Sequence, residues 1–262
     1  MPLYDTTADV IRKALRGLDM APAEAARRSG VPEREVLAAS RGPVDGQILR
    51  DLAPALGLDG DAFAGLPEYQ PPPCPVAAVR QLEMPFDDET VNAWLLENGA
   101  GGHLLFDTGV DRHEARRRLD QLGIRSVDIL ITHSHHDHVA GLSGLRDIAA
   151  SVAGAEGGEP LHAGAEITRG QLRIRVIALP GHCDGALGYI VEGLELPLCI
   201  TGDALFAGSM GGCPPGGYQA ALGSLREHVM SLPRETVVLP GHGPATNVGS
   251  ESRGNPFLAA AR

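Results

Sequence analysis

The most constraining feature of the sequence is a run of metal-binding side chains directly after a short apolar segment. Residues 127–132 read as a buried strand, and the next six residues are His133-Ser134-His135-His136-Asp137-His138. Imidazole and carboxylate groups together suit zinc, iron or manganese rather than calcium. His133 and His135, two positions apart in an extended segment, can face one metal ion. Asp137 and His138 lie past a bend and can reach a second ion.

Three further candidate ligands each follow a predicted strand and lie beside glycine. They are His182 in a Pro-Gly-His sequence, Asp203 in Thr-Gly-Asp and His242 in Pro-Gly-His-Gly. Glycine lets the backbone turn sharply, so each side chain can stand at a strand tip and face a common rim. A single histidine at one such place is more often a core or loop residue. The repeated arrangement of strand and ligand predicts that all seven side chains converge.

The run HSHHDH resembles the HxHxDH motif of the metallo-β-lactamase superfamily, and the later PGH, GD and PGHG elements occur in that family's order. The resemblance covers residues 76–257. It implies an α/β fold, the αββα sandwich, in which two mixed sheets pack together with helices outside. It also implies that Asp203 bridges two metal ions, with His133, His135 and His182 on the first ion and Asp137, His138 and His242 on the second.

Within this superfamily, the stretches GDALFAGSMGG and PGHGPATNVGSESRGNPF look like glyoxalase II, or hydroxyacylglutathione hydrolase. The resemblance implies an enzyme that hydrolyses a small-molecule thioester or ester with a hydroxide that bridges two divalent ions. Zinc is the expected metal, with iron and manganese as alternatives. Asp137 is the candidate catalytic residue, as a ligand that also accepts or donates the proton of the water. We expect substrate contacts from the loop 206–218, with Tyr218 either contacting substrate or packing within the loop.

Other functions fit the same residues. A persulfide dioxygenase would use one iron on His133, His135 and either Asp203 or His182, and a lactonase would use the same two metal ions. A metal-dependent sensor or transcription regulator would join the metal centre to a DNA-binding amino-terminal domain. Metal analysis together with oxygen consumption separates the dioxygenase from the hydrolases.

Residues 1–66 read as a small all-α domain with a helix-turn-helix outline. A short helix precedes the turn Ser29-Gly30-Val31-Pro32, and a second helix over residues 32–40 resembles the DNA-reading helix of repressor-type domains. This segment carries eight basic and ten acidic residues, with Glu33 and Glu35 on the reading helix. DNA binding draws on a local excess of basic residues. The composition therefore favours a docking or dimerising module, and a homodimer stays open.

Five prolines fall within residues 66–75, so we predict a linker at residues 67–75 and a catalytic domain over residues 76–262. In that domain Asp107 has two interpretations: it orients a ligating imidazole, or it caps the loop before the next helix. Cys183 is either an oxidation-sensitive thiol beside His182 or an inert buried residue. Predicted strands cover residues 76–86, 90–97, 103–107, 127–132, 172–179 and 198–201, with a helix over residues 111–122.

Net charge, hydropathy and cysteine spacing argue against several classes of function. A formal charge of -11 disfavours binding to nucleic acid or to an anionic membrane surface. No apolar run approaches the roughly 20 residues that cross a bilayer, and no secretion signal is recognisable, so we expect a cytoplasmic protein. The four cysteines form no CxxC pair, so neither a disulfide scaffold nor a thiolate zinc site is indicated.

Overall fold

The computed structural model describes residues 2–259 and begins with a cluster of short helices. Thr6 and Asp9 form a capping box that starts the first helix, and Pro22 stands at the start of the second. Gly30, with φ of 78°, ends the second helix in the left-handed conformation that glycine adopts easily. The helices are α1 (Thr7–Gly17), α2 (Pro22–Ser29), α3 (Glu33–Ala39), α4 (Gly46–Leu56) and α5 (Gly60–Gly65), followed by a 3-10 turn at Leu66–Glu68.

The first sheet, in the described part of the chain, has six strands in sequential order. Antiparallel pairing joins its first three strands, and parallel pairing joins the rest. The elements are β1 (Val79–Phe86), β2 (Glu89–Glu97), β3 (His103–Phe106), α6 (Glu114–Gln121), β4 (Val127–Ile131), α7 (His136–Val139), a 3-10 turn at Ala140–Gly144, β5 (Ala149–Gly154) and β6 (Glu159–Pro160).

The second sheet also has six strands within the described residues, and a small two-stranded hairpin stands apart from it. The elements of this part of the chain are β7 (Glu166–Arg169), β8 (Leu172–Ala178), β9 (Leu187–Glu192), β10 (Leu198–Gly202), β11 (Leu205–Phe206), β12 (Ser209–Met210), α8 (Tyr218–Ser224), a π-helical turn at Leu225–Val229, β13 (Val237–Pro240), β14 (Thr246–Asn247) and α9 (Val248–Gly254). The strand order of the second sheet is β14-β13-β10-β9-β8-β7, and β11 and β12 form the separate hairpin.

Buried side chains divide the molecule into four layers. Trp94 and Phe106 of the first sheet pack with Tyr189 and Leu239 of the second. Helix α6 covers the other face of the first sheet, and α8 lies on the other face of the second. Burial of each such apolar side chain contributes roughly 1.5–3 kcal/mol to folding. The predicted αββα arrangement is therefore confirmed.

The amino-terminal helices contribute to the outer helical layer. Leu15 and Phe63 belong to the same hydrophobic cluster as Ile177 and Val238 of the second sheet and Leu222 of α8. The segment 66–75 passes over this layer, and Tyr69 within it donates a hydrogen bond to Glu251 Oε1 at 2.6 Å. The domain boundary in that segment stays a prediction, while the helices before it pack directly on the second sheet.

The first strand and helix α6 begin at later residues than the sequence predicts. The first strand begins at Val79 rather than at residue 76, because residues 77 and 78 form a turn. Helix α6 begins at Glu114, and Asp111 accepts a hydrogen bond from the His113 amide at 2.6 Å in the turn before it. Across the described residues, no helix combines the length and hydropathy that crossing a membrane requires.

Candidate metal centre

The candidate ligands stand at strand ends that the two sheets bring to one edge. His133 follows β4, and His135 is the residue that precedes the short helix α7 with its Asp137 and His138. Asp203 directly follows β10, whereas His182 and His242 follow β8 and β13 after short Pro-Gly turns. All seven predicted residues therefore converge, although they come from four separate strands.

Contacts between the sheets fix the loops that carry these residues. The Trp94 indole and the Asn92 amide of β2 donate hydrogen bonds to the Pro240 carbonyl at 2.8 and 3.0 Å. Asn92 also donates to the Gly243 carbonyl at 2.8 Å, so β2 of the first sheet holds both sides of His242. The Tyr189 hydroxyl of β9 donates to the Ile131 carbonyl at 2.6 Å, at the point where β4 leads into His133.

The first ligand group contains His133, His135, His182 and Asp203, whose ligand atoms all lie within 4.8 Å of one another. The His135 Nδ1 atom lies 3.1 Å from Nε2 of His133 and 3.1 Å from Nε2 of His182. Asp203 Oδ2 lies 3.5 Å from His182 Nε2. Tetrahedral zinc with bonds of 2.0–2.1 Å requires ligand atoms about 3.3 Å apart. The observed spacing fits such an ion.

The second ligand group contains Asp137, His138, Asp203 and His242, again within 4.8 Å. Asp203 Oδ1 lies 3.2 Å from His138 Nε2, and Asp203 Oδ2 lies 3.4 Å from His242 Nε2. Asp137 Oδ2 lies 3.2 Å from His242 Nε2. Asp203 thus belongs to both groups, which is the position that a carboxylate bridging two ions occupies.

Two buried atoms in the second group have no hydrogen-bond partner. Within the described residues, His138 Nε2 and Asp203 Oδ1 are among three buried side-chain polar atoms in this condition. Leaving such an atom unsatisfied costs about 1–3 kcal/mol. Both atoms face the space that a cation would occupy, so the donor set fits a metal ion on energetic as well as geometric grounds.

Three of the candidate histidines have a hydrogen-bond partner at Nδ1, which leaves the Nε2 atom of each ring available to a metal ion. Asp107 Oδ2 lies 2.8 Å from His138 Nδ1, and the Thr90 carbonyl lies 2.7 Å from His242 Nδ1. The Gly212 carbonyl lies 2.9 Å from His182 Nδ1. Such partners orient metal-binding histidines in proteins. Asp107 therefore orients an imidazole, which decides between its two sequence interpretations.

The buried setting controls the charge of the site. Burial lowers the pKa of His133 to about 4, which keeps its imidazole neutral at neutral pH, the form that binds metals. Burial alone would raise the pKa of Asp203, but His138 and His242 hold it well below its usual range, so this carboxylate is ionised. Burial would lower the pKa of His242, yet hydrogen bonds to Asp137 and Asp203 raise it to about 9. A divalent ion competes with that proton.

Other residues considered in the sequence have different roles. Tyr218 is buried in the outer core and packs edge-on against Phe257, so it is a packing residue. Cys183 is half-buried rather than fully buried, and its sulfur lies 3.7 Å from the Ser134 hydroxyl. Tyr4 is a further residue at the centre that the sequence did not indicate, and its ring stacks on His242. No local pattern marks Tyr4, because the contact exists only in the folded chain.

Comparisons with known proteins agree with this architecture. A family model described as the metallo-beta-lactamase superfamily matches residues 86–167. A probable metallo-hydrolase, YqgX of Bacillus subtilis, is 31% identical over 184 residues, which are 59% of this chain and 86% of the relative. The hydroxyacylglutathione hydrolase GloC of Haemophilus influenzae is 26% identical over 215 residues, covering 70% of this chain and 95% of GloC.

A solved structure shares the fold as well. The crystal structure of the B3 metallo-beta-lactamase BLEG-1 superimposes with a TM-score of 0.61 at 26% identity, over 70% of this chain and 100% of that one. The names of GloC and BLEG-1 point to different substrates, and the BLEG-1 structure shares the fold of this chain. The chain belongs to the metallo-beta-lactamase superfamily.

Proposed function

We propose that this protein is a hydrolase that uses two divalent metal ions, with zinc as the expected metal, to cleave a thioester or a related ester. The observation that carries the proposal is the position of Asp203, whose two carboxylate oxygens reach both ligand groups. A mononuclear centre needs only one group, whereas here the second group is complete and buried.

The division of roles follows from the contacts. Two bound ions would supply a hydroxide nucleophile at neutral pH and polarise the carbonyl of the substrate. Asp137 Oδ2 lies 3.2 Å from His242 Nε2 within the second ligand group, so this carboxylate stands beside the position of the water and would hold its proton. Burial would raise the pKa of Asp137, but His242 and His138 lower it, so this group is an acceptor at neutral pH.

Access to the centre is from one side. His135 and His182 are half-buried, whereas the five other ligand residues are buried. Ser134 and Asp184 beside them are exposed. We infer that the substrate carbonyl approaches over His135 and His182, with its leaving group directed toward solvent.

Support for a thioester comes from the glyoxalase II-like sequence around Asp203 and His242 and from the similarity to GloC. The similarity to a structure named as a B3 metallo-beta-lactamase makes β-lactams a required comparison. A panel of thioesters, lactones, phosphodiesters and β-lactams, assayed with zinc-loaded full-length protein, tests the proposal. We expect thioesters to give the highest kcat/KM.

Two variants complete this experiment. Asp203→Ala should lower kcat/KM by more than about 100-fold, since it removes a ligand of both ions and outer-sphere changes alone cost 10–100-fold. The matched control is Asp51→Ala, which removes an exposed aspartate from helix α4. Hydrolysis that survives in Asp203→Ala would refute the proposal, as would iron content with oxygen consumption in protein from its native host.

A DNA-binding regulator is the alternative from a different class. The helix-turn-helix outline stays a prediction, and the candidate reading helix α3 carries Glu33 and Glu35 in its first turn. Specific binding of promoter DNA at moderate salt would support this alternative, and we expect no such binding.

A further inference from the structure

The segment before helix α1 lies against the second ligand group. We call residues 2–6 the amino-terminal strap. Its Tyr4 ring stacks on the imidazole of His242, with ring centroids 4.5 Å apart and planes inclined by 21°. The Phe206 ring packs edge-on against both, at 5.0 Å from Tyr4 and 5.8 Å from His242. His242 therefore contacts aromatic rings from two distant parts of the chain.

The strap has a defined position on the catalytic region. The Tyr4 hydroxyl donates a hydrogen bond to Glu89 Oε2 at 2.5 Å, at the start of β2. A Cβ atom placed on Gly243 would lie 3.1 Å from the Tyr4 Cβ, so the strap packs closely on the residue that follows His242. Glycine at position 243 leaves room for that packing.

A lysine fastens the strap and α1 beside the first ligand group. Lys13 pairs with the buried Asp5 of the strap, and its ammonium donates to the Met210 carbonyl at 3.0 Å. The same ammonium lies 4.8 Å from the centre of the Phe206 ring. Met210 is two residues from Gly212, whose carbonyl orients His182. The amino-terminal region thus contacts the supports of both groups.

We propose that Tyr4 is a positioning residue of the metal centre and that the amino-terminal helical region is a structural part of the active site. The inference rests on the two-metal centre of the proposed function. The Thr90 carbonyl accepts a hydrogen bond from His242 Nδ1, and this contact to a single ring atom does not by itself fix the tilt of the ring. The Tyr4 ring removes that freedom, so the Nε2 atom stays directed at Asp137 and Asp203.

Metal titration of the full-length protein against a chromophoric chelator tests this role. We expect the wild-type protein to bind zinc in two steps. Tyr4→Leu should weaken one step by about 10-fold, the lower end of the range for groups that orient metal-binding histidines, and leave the other step unchanged. Tyr4→Phe keeps the ring and loses only the hydroxyl, so it should retain near wild-type affinity in both steps.

The matched control is Tyr69→Leu. Tyr69 also ties the amino-terminal region to the catalytic region, but it does so at Glu251, which is not among the candidate metal-binding residues. Unchanged zinc affinity in folded Tyr4→Leu, or an equal loss in Tyr69→Leu, would overturn the proposal. A measurement on wild-type protein keeps the test valid even if a variant fails to fold. The ring protons of His242 should show an upfield NMR shift caused by the ring current of Tyr4. If that shift were absent, the proposal would also be overturned.

The two proposals fail separately. Wild-type protein that binds two zinc ions but hydrolyses nothing in the substrate panel would refute the proposed function and leave the role of Tyr4 intact. If Tyr4→Leu kept full hydrolytic activity and both zinc-binding steps, the proposed function would stand and the role of Tyr4 would be refuted.

Discussion

Asp107 lies directly behind His138, with its Oδ2 atom 2.8 Å from Nδ1 of that imidazole and both residues buried. The other carboxylate oxygen of Asp107 accepts the Thr132 amide at 2.8 Å, where the chain leaves β4. Asp107 itself has φ of 61°, a conformation that aspartate and asparagine adopt more readily than most residues. One side chain thus orients a candidate ligand and fixes the loop that carries four of the seven.

Replacement of Asp107 tests that relationship. Asp107→Ala should weaken binding of one zinc ion by about 10–100-fold, because His138 loses the partner that fixes its orientation. A titration against a chromophoric chelator measures the change. Asp111→Ala is the control, since Asp111 caps only the turn at His113. An unaltered titration curve for Asp107→Ala would show that His138 needs no such support.

Gly241 leaves space for the bridging carboxylate. A Cβ atom at this position would lie 2.2 Å from Asp203 Oδ1 and 2.7 Å from His138 Cε1. We therefore expect Gly241→Ala to displace Asp203 and to reduce the zinc content below two ions per chain, with at least a 10-fold loss of kcat. Elemental analysis and kinetics on the same preparation measure both effects.

The control for this change is Gly216→Ala, because among the described residues no atom beyond its two chain neighbours lies within 4 Å of the added methyl group there. If Gly241→Ala retained two ions and full activity, Asp203 would not need the position observed in the structure.

Glu251 stabilises the fold away from the metal centre. Its carboxylate is buried and accepts hydrogen bonds from Tyr69, Thr246 and Asn255 and from the Gly208 amide. The Glu251→Gln substitution replaces one carboxylate oxygen with an NH2 group, which faces two of these donors and cannot accept their hydrogen bonds. We expect a loss of about 1–3 kcal/mol in the free energy of unfolding, measured by urea denaturation of the zinc-loaded protein, with two ions still bound.

Glu227→Gln changes an exposed glutamate and should leave the urea midpoint unchanged. An equal midpoint for Glu251→Gln and wild type would mean that the buried carboxylate contributes nothing to stability.

Local sequence patterns were sufficient to predict the sheet edge and the residues at it. Each of His182, Asp203 and His242 follows a strand and stands next to glycine, and both properties are visible in a window of a few residues. The αββα fold was implied by the resemblance of HSHHDH and the later PGH, GD and PGHG elements to the metallo-β-lactamase superfamily. The two interpretations of Asp107 could not be separated from the sequence, since the choice depends on where His138 lies in space.

The role of the amino-terminal region could not be predicted from the sequence either. A proline-rich segment after residue 66 is typical of a linker and indicates a separate domain. In the structure Leu15 and Phe63 share a hydrophobic cluster with Val238, and Tyr4 stacks on His242. These contacts join residues far apart in the chain, and helical periodicity reports only which face is apolar, not what covers it.

The most direct test of the central claim is the anomalous X-ray scattering of zinc-loaded crystals, recorded at the zinc absorption edge. We predict two peaks, one within each ligand group, with an Asp203 oxygen in contact with both. A single peak, or two peaks that do not share Asp203, would contradict the account.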